Sequence, residues 1–133
     1  MKKNSGAYER LWDILIISLC ADIEFFFKSL FLKYYKDEEL KNSFFQRIND
    51  VIKLLETKNL DFTDVKNDIN KLNESFQIRH IAIHNMGFVD ERFKSKINSN
   101  HNINTKYTVN QNIYLSFSES YSNLLTSIDK QIC

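Results

Sequence analysis

The hydrophobic positions of this chain recur at helical spacing over most of its length. Proline is absent and glycine occurs twice, which favours long helices over a loop-rich β fold. Helices are predicted near residues 5–35, 37–58, 62–86 and 116–132. These periodicities predict an all-α, up-and-down bundle of four or five helices that forms a single domain over residues 1–133.

Residues at the predicted helix ends have the chemistry that such ends require. Asp37-Glu38-Glu39 suits the positive end of the second helix dipole, and either Asp61 or Thr63 can cap the third helix. Gly87 can take the left-handed conformation that terminates the third helix. Ser116-Phe117-Ser118-Glu119 matches a capping box, so we expect the last helix to open there.

The segment between the third and last helices carries shorter signals. Phe88 to Lys96 predicts a turn or a short helix, and an Asn-rich loop follows at Asn98 to Asn104. Lys106 to Val109 and Ile113 to Leu115 alternate between apolar and polar residues. They can pair as a small hairpin or lie extended.

The stretch from Leu11 to Leu32 is apolar nearly all round, so one buried face is not enough for it. Either it is the central helix of a tight bundle or a partner covers its surplus face. Charged residues inside the stretch are expensive at the centre of a bilayer and argue against a membrane span. They are Asp13, Asp22, Glu24 and Lys28.

Composition narrows the classes of function. The net charge is +1, so we expect no broad basic surface, and any nucleic-acid site must be local. Cys20 and Cys133 are far apart and lack metal-type spacing, so we expect a reducing compartment and no disulfide framework. The residues after Met1 begin like a signal peptide, but no small-residue cleavage site follows. We therefore expect a cytoplasmic chain.

One stretch places charge within apolar sequence, namely Arg79-His80-Ile81-Ala82-Ile83-His84. Arginine and histidine in apolar surroundings cost free energy unless they are paired or used. An imidazole moves protons near neutral pH and a guanidinium holds phosphate, so Arg79 and His84 are candidate catalytic residues for RNA cleavage. The alternative is structural: Arg79 pairs with Asp22 or Glu24, and His84 caps carbonyl groups.

The motif resembles the signature of the HEPN superfamily, the higher eukaryotes and prokaryotes nucleotide-binding domains. That signature is an Arg, a polar residue, three further residues and a His near the end of a long helix. Arg79, His80 and His84 fill these positions, and Asn85 to Asp90 with Phe93 is similar to an HNxGxVxxxF run of one branch. The resemblance implies a HEPN-type bundle and a metal-independent endoribonuclease of toxin–antitoxin or phage-defence systems.

The resemblance also implies roles for these residues. His84 would take the 2′-hydroxyl proton of RNA, and Arg79 would bind the nonbridging phosphate oxygens, so that a 2′,3′-cyclic phosphate forms. His80 and Asn85 would support them. Basic residues after the motif can track the RNA backbone, or they form only a solvated face. They are Arg92, Lys94, Lys96 and Lys106.

The spacing of the motif raises a geometric problem. Arg79 and His84 are five residues apart, about 140° of rotation on an ideal helix, so they do not share a face. Either His84 lies where the helix unwinds, or the site is composite across a symmetric dimer. HEPN ribonucleases generally dimerise, and a homodimer would supply two histidines, one as base and one as acid.

Two other interpretations follow from the same residues. His80 and His84 have a zinc-ligand spacing, but the third ligand is missing, since the other histidine, His101, lies in the Asn-rich loop. We therefore expect no metal and no other cofactor. The second is a non-catalytic HEPN module that binds a nucleotide or a protein, which the near-zero net charge favours. The intact Arg79 and His84 favour the ribonuclease.

One position departs from part of the family. Met86 stands where toxins that partner a nucleotidyltransferase antitoxin commonly carry a modified tyrosine. The resemblance is therefore closer to standalone or fused HEPN domains of prokaryotic defence and toxin systems. It implies an RNA substrate and an antitoxin or defence protein as partner, with no membrane involved.

Overall fold

The computed structural model describes residues 5–97 and 100–132, and within them the chain forms five α-helices and no β-strand. The helices are α1 (Ser5–Tyr34), α2 (Ile48–Thr57), α3 (Lys66–His84), α4 (Glu91–Ile97) and α5 (Gln111–Ile132). Short 3₁₀ helices precede α2 and α3, at Asn42–Gln46 and Thr63–Val65. The predicted all-α bundle is confirmed.

The central helix of the bundle is α3, which contacts α1, α2, α4 and α5. Its residues Leu72, Ile78 and Ile81 are almost completely buried. Together with Phe27 of α1 and Phe93 of α4 they belong to one hydrophobic core, and burial of such side chains is the main force that holds a bundle together. The core therefore fixes the C-terminal end of α3, where the Arg/His motif lies.

One face of α1 points away from the bundle and is apolar. Phe25 is 71% exposed and Leu32 is 73% exposed. From Leu11 to Phe25 the exposed positions follow one another at alternating steps of three and four residues, and Leu32 follows seven residues later, which is the spacing of a helix seam that packs on another helix. We call this surface the outward face of α1; it consists of Leu11, Ile14, Ser18, Ala21, Phe25 and Leu32. The predicted surplus of apolar surface is confirmed, and α1 is not the central helix.

The second helix is shorter than predicted. Residues 37–41 are not helical and Asn42–Gln46 form a 3₁₀ helix, so α2 begins only at Ile48. Phe45 turns into the core against Phe31, with their ring centroids 5.7 Å apart. This packing holds the segment against α1 and overrides the helical periodicity of its sequence.

The third helix lies close to its predicted bounds. A 3₁₀ turn occupies Thr63–Val65, and Asp61 Oδ1 accepts the backbone N–H of Thr63 just before it at 3.0 Å. The prediction that Asp61 or Thr63 caps the third helix is wrong, because Val65 is the N-cap of α3 and makes no side-chain cap bond. The α-helix then ends at His84. The short helix predicted within residues 88–96 is confirmed by α4.

The last helix begins before the predicted capping box. Asn110 Oδ1 accepts the backbone N–H of Ile113 at 2.9 Å and so caps α5 at an earlier point. Ile113–Leu115 are helical as a result, so both predicted alternatives for this segment, a hairpin strand and an extended stretch, are wrong. Lys106 instead forms an isolated antiparallel bridge with Phe88.

The structure also bears on the membrane and cysteine expectations. No helix in the described part of the chain combines the length and apolarity needed to cross a bilayer. Cys20 is a buried free thiol, and burial raises its pKa to about 12. Residues 1–4, where the sequence begins like a signal peptide, and Cys133 lie outside the described residues.

Candidate active site

The end of α3 is shaped by two residues in the left-handed region. Met86 has φ +53° and Gly87 has φ +85°. The carbonyl oxygen of Ile81 accepts the backbone N–H groups of both Asn85 and Gly87 at 2.8 Å, which closes the helix. A β-carbon at Gly87 would collide with the ammonium of Lys106. The predicted left-handed conformation of Gly87 is confirmed. The turn formed by residues 85–87 ends the helix at His84.

A cleft of about 700 Å³ opens between α2, α3 and α4 at this end of the bundle. Arg79, His80 and His84 all line it. Arg79 and His84 therefore reach one space within a single chain, although five helical residues separate their directions by about 140°. The side chain of Arg79 is long enough to reach the cleft although it leaves the helix in a different direction from His84.

The two histidines of the motif lie against each other. Their ring centroids are 4.7 Å apart and the rings are tilted by 50°, as expected for residues four apart on one helix face. Burial lowers the pKa of His80 below its ordinary value, charge repulsion from Arg92 and His84 acts in the same direction, and Asp90 acts in the opposite direction. His80 is therefore a neutral imidazole near pH 7, able to accept a proton or a hydrogen bond.

Arg79 also has a structural partner. Its Nη2 lies 3.9 Å from Oε1 of Glu24 on α1, and both side chains are largely buried. This is an ion pair at a distance longer than a hydrogen bond, and Glu24 Oε1 has no hydrogen-bond partner among the described residues. Of the two structural partners considered for Arg79, Asp22 and Glu24, the structure therefore shows Glu24. This pair leaves room for a ligand, because a guanidinium has five N–H donors.

The predicted supporting residues divide into two groups. Arg92 and Lys96 line the cleft beside the motif, but Lys94 does not. Lys106 binds Asp13 of α1 at 3.0 Å instead. The side-chain amide of Asn85 donates to the carbonyl of Phe88 at 2.8 Å and so stabilises its own turn. Lys106 and Asn85 therefore hold the site together rather than line it.

Sequence reasoning missed the opposite wall of the cleft, which α2 and the residues just before it supply. Arg47 and Lys53 line it, and Asp50 lies between them. These three residues recur at a spacing of three on the polar side of an amphipathic helix. That periodicity was the available signal, but it did not indicate which element the polar side would face.

The cleft concentrates positive charge in a chain that is almost neutral. Among the described residues, five arginines and lysines line it against one carboxylate, Asp50. That carboxylate binds Arg47 Nε at 2.8 Å. The five cations are Arg47, Lys53, Arg79, Arg92 and Lys96. The whole chain has 18 basic and 17 acidic residues, so this local excess fits a polyanionic ligand.

No protein-family model, curated protein or solved structure matches this chain. The resemblance to the HEPN superfamily therefore rests on Arg79, His80, His84 and the residues that follow them. Within the described residues, no group of three or more His, Cys, Asp and Glu side chains is arranged to hold a metal ion. His101, the remaining histidine, packs on the ring of Tyr107 with centroids 4.8 Å apart.

Proposed function

We propose that this chain is a metal-independent endoribonuclease of HEPN type, acting in a toxin or defence system. The observation that carries the proposal is the cleft itself. It combines two imidazoles, His80 and His84, with Arg79 and four further cations. Phosphate binding, proton transfer and stabilisation of a phosphorane-like charge need only these groups.

In the proposed reaction, His84 takes the proton from a ribose 2′-hydroxyl, and the oxygen attacks the adjacent phosphorus. The bond to the 5′-oxygen breaks, and a general acid returns a proton to that leaving oxygen. Arg79 binds the nonbridging oxygens through its planar fork of donors as their charge grows. The products are a 2′,3′-cyclic phosphate and a 5′-hydroxyl.

The proposed reaction also needs a general acid for the leaving 5′-oxygen. Because burial lowers the pKa of His80, a smaller fraction of this imidazole carries a proton to donate, so we assign His80 to positioning. A second copy of the chain, related by a two-fold axis, would supply another His84 as the acid. Such a dimer would place the ends of the two α3 helices face to face.

The outward face of α1 supports a dimer of this kind. Phe25 and Leu32 protrude at its C-terminal half, while Ser18 and Ala21 at its middle are small enough for two helices to approach closely. Lys106 bridges Asp13 of α1 and the turn at Gly87. These contacts hold the N-terminal half of α1 close to the end of α3. In the proposed dimer, the copies meet through this half of the outward face, so that the two motifs come near one another.

A labelled RNA incubated with purified protein in EDTA tests the proposal. We expect cleavage that chelation does not reduce, ends that carry a 2′,3′-cyclic phosphate, and no cleavage of the matching DNA, which lacks the attacking hydroxyl. A linear 5′-phosphate end would mean that water is the nucleophile and would refute the mechanism. Activity lost in EDTA and restored by zinc would point to a metal site at His80 and His84.

The alternative is a non-catalytic HEPN module that binds a nucleotide or a protein. The ion pair between Arg79 and Glu24 favours it, because it gives the arginine a role that needs no substrate. The same experiment separates the two functions. RNA that is bound but never cut, under all pH conditions in which the protein is folded, would support the module.

A further inference from the structure

The cleft contains a buried polar group that the proposed reaction does not use. Gln77 lines the cleft one helical turn before His80, yet only 9% of its surface is exposed. Its Oε1 is inaccessible and has no hydrogen-bond partner among the described residues. A buried carbonyl oxygen without a donor is rare in folded proteins and often marks a functional position.

A phosphate cannot satisfy this oxygen. Phosphate oxygens are acceptors, and the cations of the cleft already meet that need. Gln77 Oε1 requires a ligand with an N–H or O–H donor, while the other half of the amide supplies a donor of its own. The terminal torsion of a glutamine side chain is soft, so the amide can turn toward a ligand at little cost.

The position of Gln77 on α3 indicates what the ligand is. Asn73, Gln77, His80 and His84 all line the cleft and follow one another at steps of four, three and four residues. They form one stripe that leads from amide groups to the catalytic end. Gln77 and His84 are roughly 10 Å apart along the helix axis at 1.5 Å per residue. That separation suits a nucleotide whose phosphate lies near His84 and whose base reaches Gln77.

We infer that the cleft contains a base-recognition subsite in which the Gln77 amide pairs with the hydrogen-bonding edge of a nucleobase. Every nucleobase presents a donor beside an acceptor on its Watson–Crick edge, and a glutamine amide complements such an edge. In duplex RNA those edges are occupied, so the substrate is single-stranded. The inference rests on the proposed function in taking the cleft as the RNA site.

The subsite is tested with ligands that carry the phosphate with or without the base. Binding of the four 5′-nucleoside monophosphates and of ribose 5-phosphate to the wild-type protein is measured by NMR titration. The side-chain amide resonance of Gln77 reports directly on the subsite. We expect at least one nucleotide to bind about tenfold more tightly than ribose 5-phosphate and to shift that resonance. Equal affinity of all five ligands would overturn the inference.

Two variants sharpen the test. Gln77→Met keeps the length of the side chain and removes both hydrogen-bonding groups, so it should abolish the preference for the nucleotide and leave ribose 5-phosphate binding unchanged. Gln111→Met, on α5 outside the cleft, is the matched control and should change neither. If Gln77→Met weakens both ligands alike while remaining folded, the amide does not read the base. If Gln77→Met does not fold, the comparison of the five ligands on the wild-type protein decides whether the subsite exists.

The outcome is independent of catalysis, because a nucleoside monophosphate has no internucleotide bond to cleave. Base-dependent binding at Gln77 in a protein that never cuts RNA would uphold the subsite and refute the ribonuclease. RNA cleavage without base-dependent binding would do the reverse.

Discussion

The cleft between α2, α3 and α4 is lined by cations, imidazoles and amides, whereas the outward face of α1 exposes the apolar side chains of Ile14, Phe25 and Leu32 to solvent. Both surfaces depart from what the fold alone requires. In the cleft, Gln77 Oε1 is buried and has no hydrogen-bond partner among the described residues, and the same is true of Oε1 of Glu24, the ion-pair partner of Arg79. On α1, apolar groups are exposed although the core is complete without them.

The difference indicates two kinds of ligand. Removing apolar side chains from water stabilises a contact without directional bonds, so the outward face of α1 suits another apolar helix, such as that of a second copy. Charged and amide groups give little by burial alone and need matching partners. The cleft therefore suits a polyanion with hydrogen-bonding groups.

The largest effect is expected from removing the catalytic groups of the cleft. His84→Ala and Arg79→Ala should each lower RNA cleavage by about 10²–10⁴ or more, because they supply proton transfer and charge stabilisation separately. Cleavage rates of labelled RNA, with circular dichroism as the check on folding, measure this. His101→Ala, which alters a histidine outside the cleft, is the control. Full activity of His84→Ala would show that the base is another group.

Arg79 needs a second variant, because its removal leaves the largely buried carboxylate of Glu24 without its cation. We expect Arg79→Ala to be less stable than wild type and the double variant Arg79→Ala/Glu24→Gln to regain part of that stability without regaining cleavage. If the double variant were active, Arg79 would serve only to neutralise Glu24.

A matched pair on α1 tests the outward face against the core. Phe27 is fully buried and Phe25 is 71% exposed, two residues away on the same helix. Phe27→Ala should lower the free energy of unfolding by about 3–5 kcal/mol, whereas Phe25→Ala in the monomer should change it by less than about 0.5 kcal/mol. Urea denaturation measures both.

The same pair separates stability from assembly. Light scattering at micromolar concentration should show a wild-type dimer and a shift toward monomer for Phe25→Ala. A wild-type monomer would exclude a self-contact as the cover of this face, and it would leave the general acid of the proposed reaction to be found within one chain.

Much of the fold followed from periodicity, and each error has a cause that the structure shows. The apolar spacing of α1 and α3 predicts both helices well, because strong helical patterns and the glycine at 87 act in the same direction. The prediction for the segment before α2 was wrong because Phe45 packs on Phe31, a contact between residues distant in sequence. The predicted start of α5 was wrong because Asn110, which precedes the predicted capping box at Ser116, caps the helix.

The arginines and lysines of the cleft are expected to bind the phosphate groups of the RNA backbone together. In the inactive His84→Ala background, Arg92→Ala and Lys96→Ala should each weaken RNA binding and reduce the salt dependence, by about 0.7 in the log–log slope for each phosphate that is no longer neutralised. Lys106→Ala should leave the slope unchanged, because Lys106 binds Asp13. Affinities measured across a salt series decide this. A reduced slope for Lys106→Ala would place the RNA path outside the cleft.

The candidate site was predictable only where it lies within one stretch of sequence. Arg79, His80 and His84 are recognisable together because a helix end carries all three. Nothing local distinguishes Arg92 and Lys96 from Lys106, since only the packing of α1 gives Lys106 its partner. Gln77 was missed for a related reason: its importance comes from its burial and from the absence of a hydrogen-bond partner among the described residues, which the sequence does not show.

The smallest effect concerns the pH dependence of stability. Because the pKa of His80 is lowered in the folded state, the unfolded chain binds more protons below the ordinary histidine value of about 6.5, and stability falls as the pH falls through that range. His80→Gln lacks this titration. We expect urea denaturation between pH 7.5 and 5.5 to show a larger loss for wild type than for His80→Gln. Equal losses of stability in the two proteins would mean that the fold does not change the titration of His80, and its positioning role would be refuted.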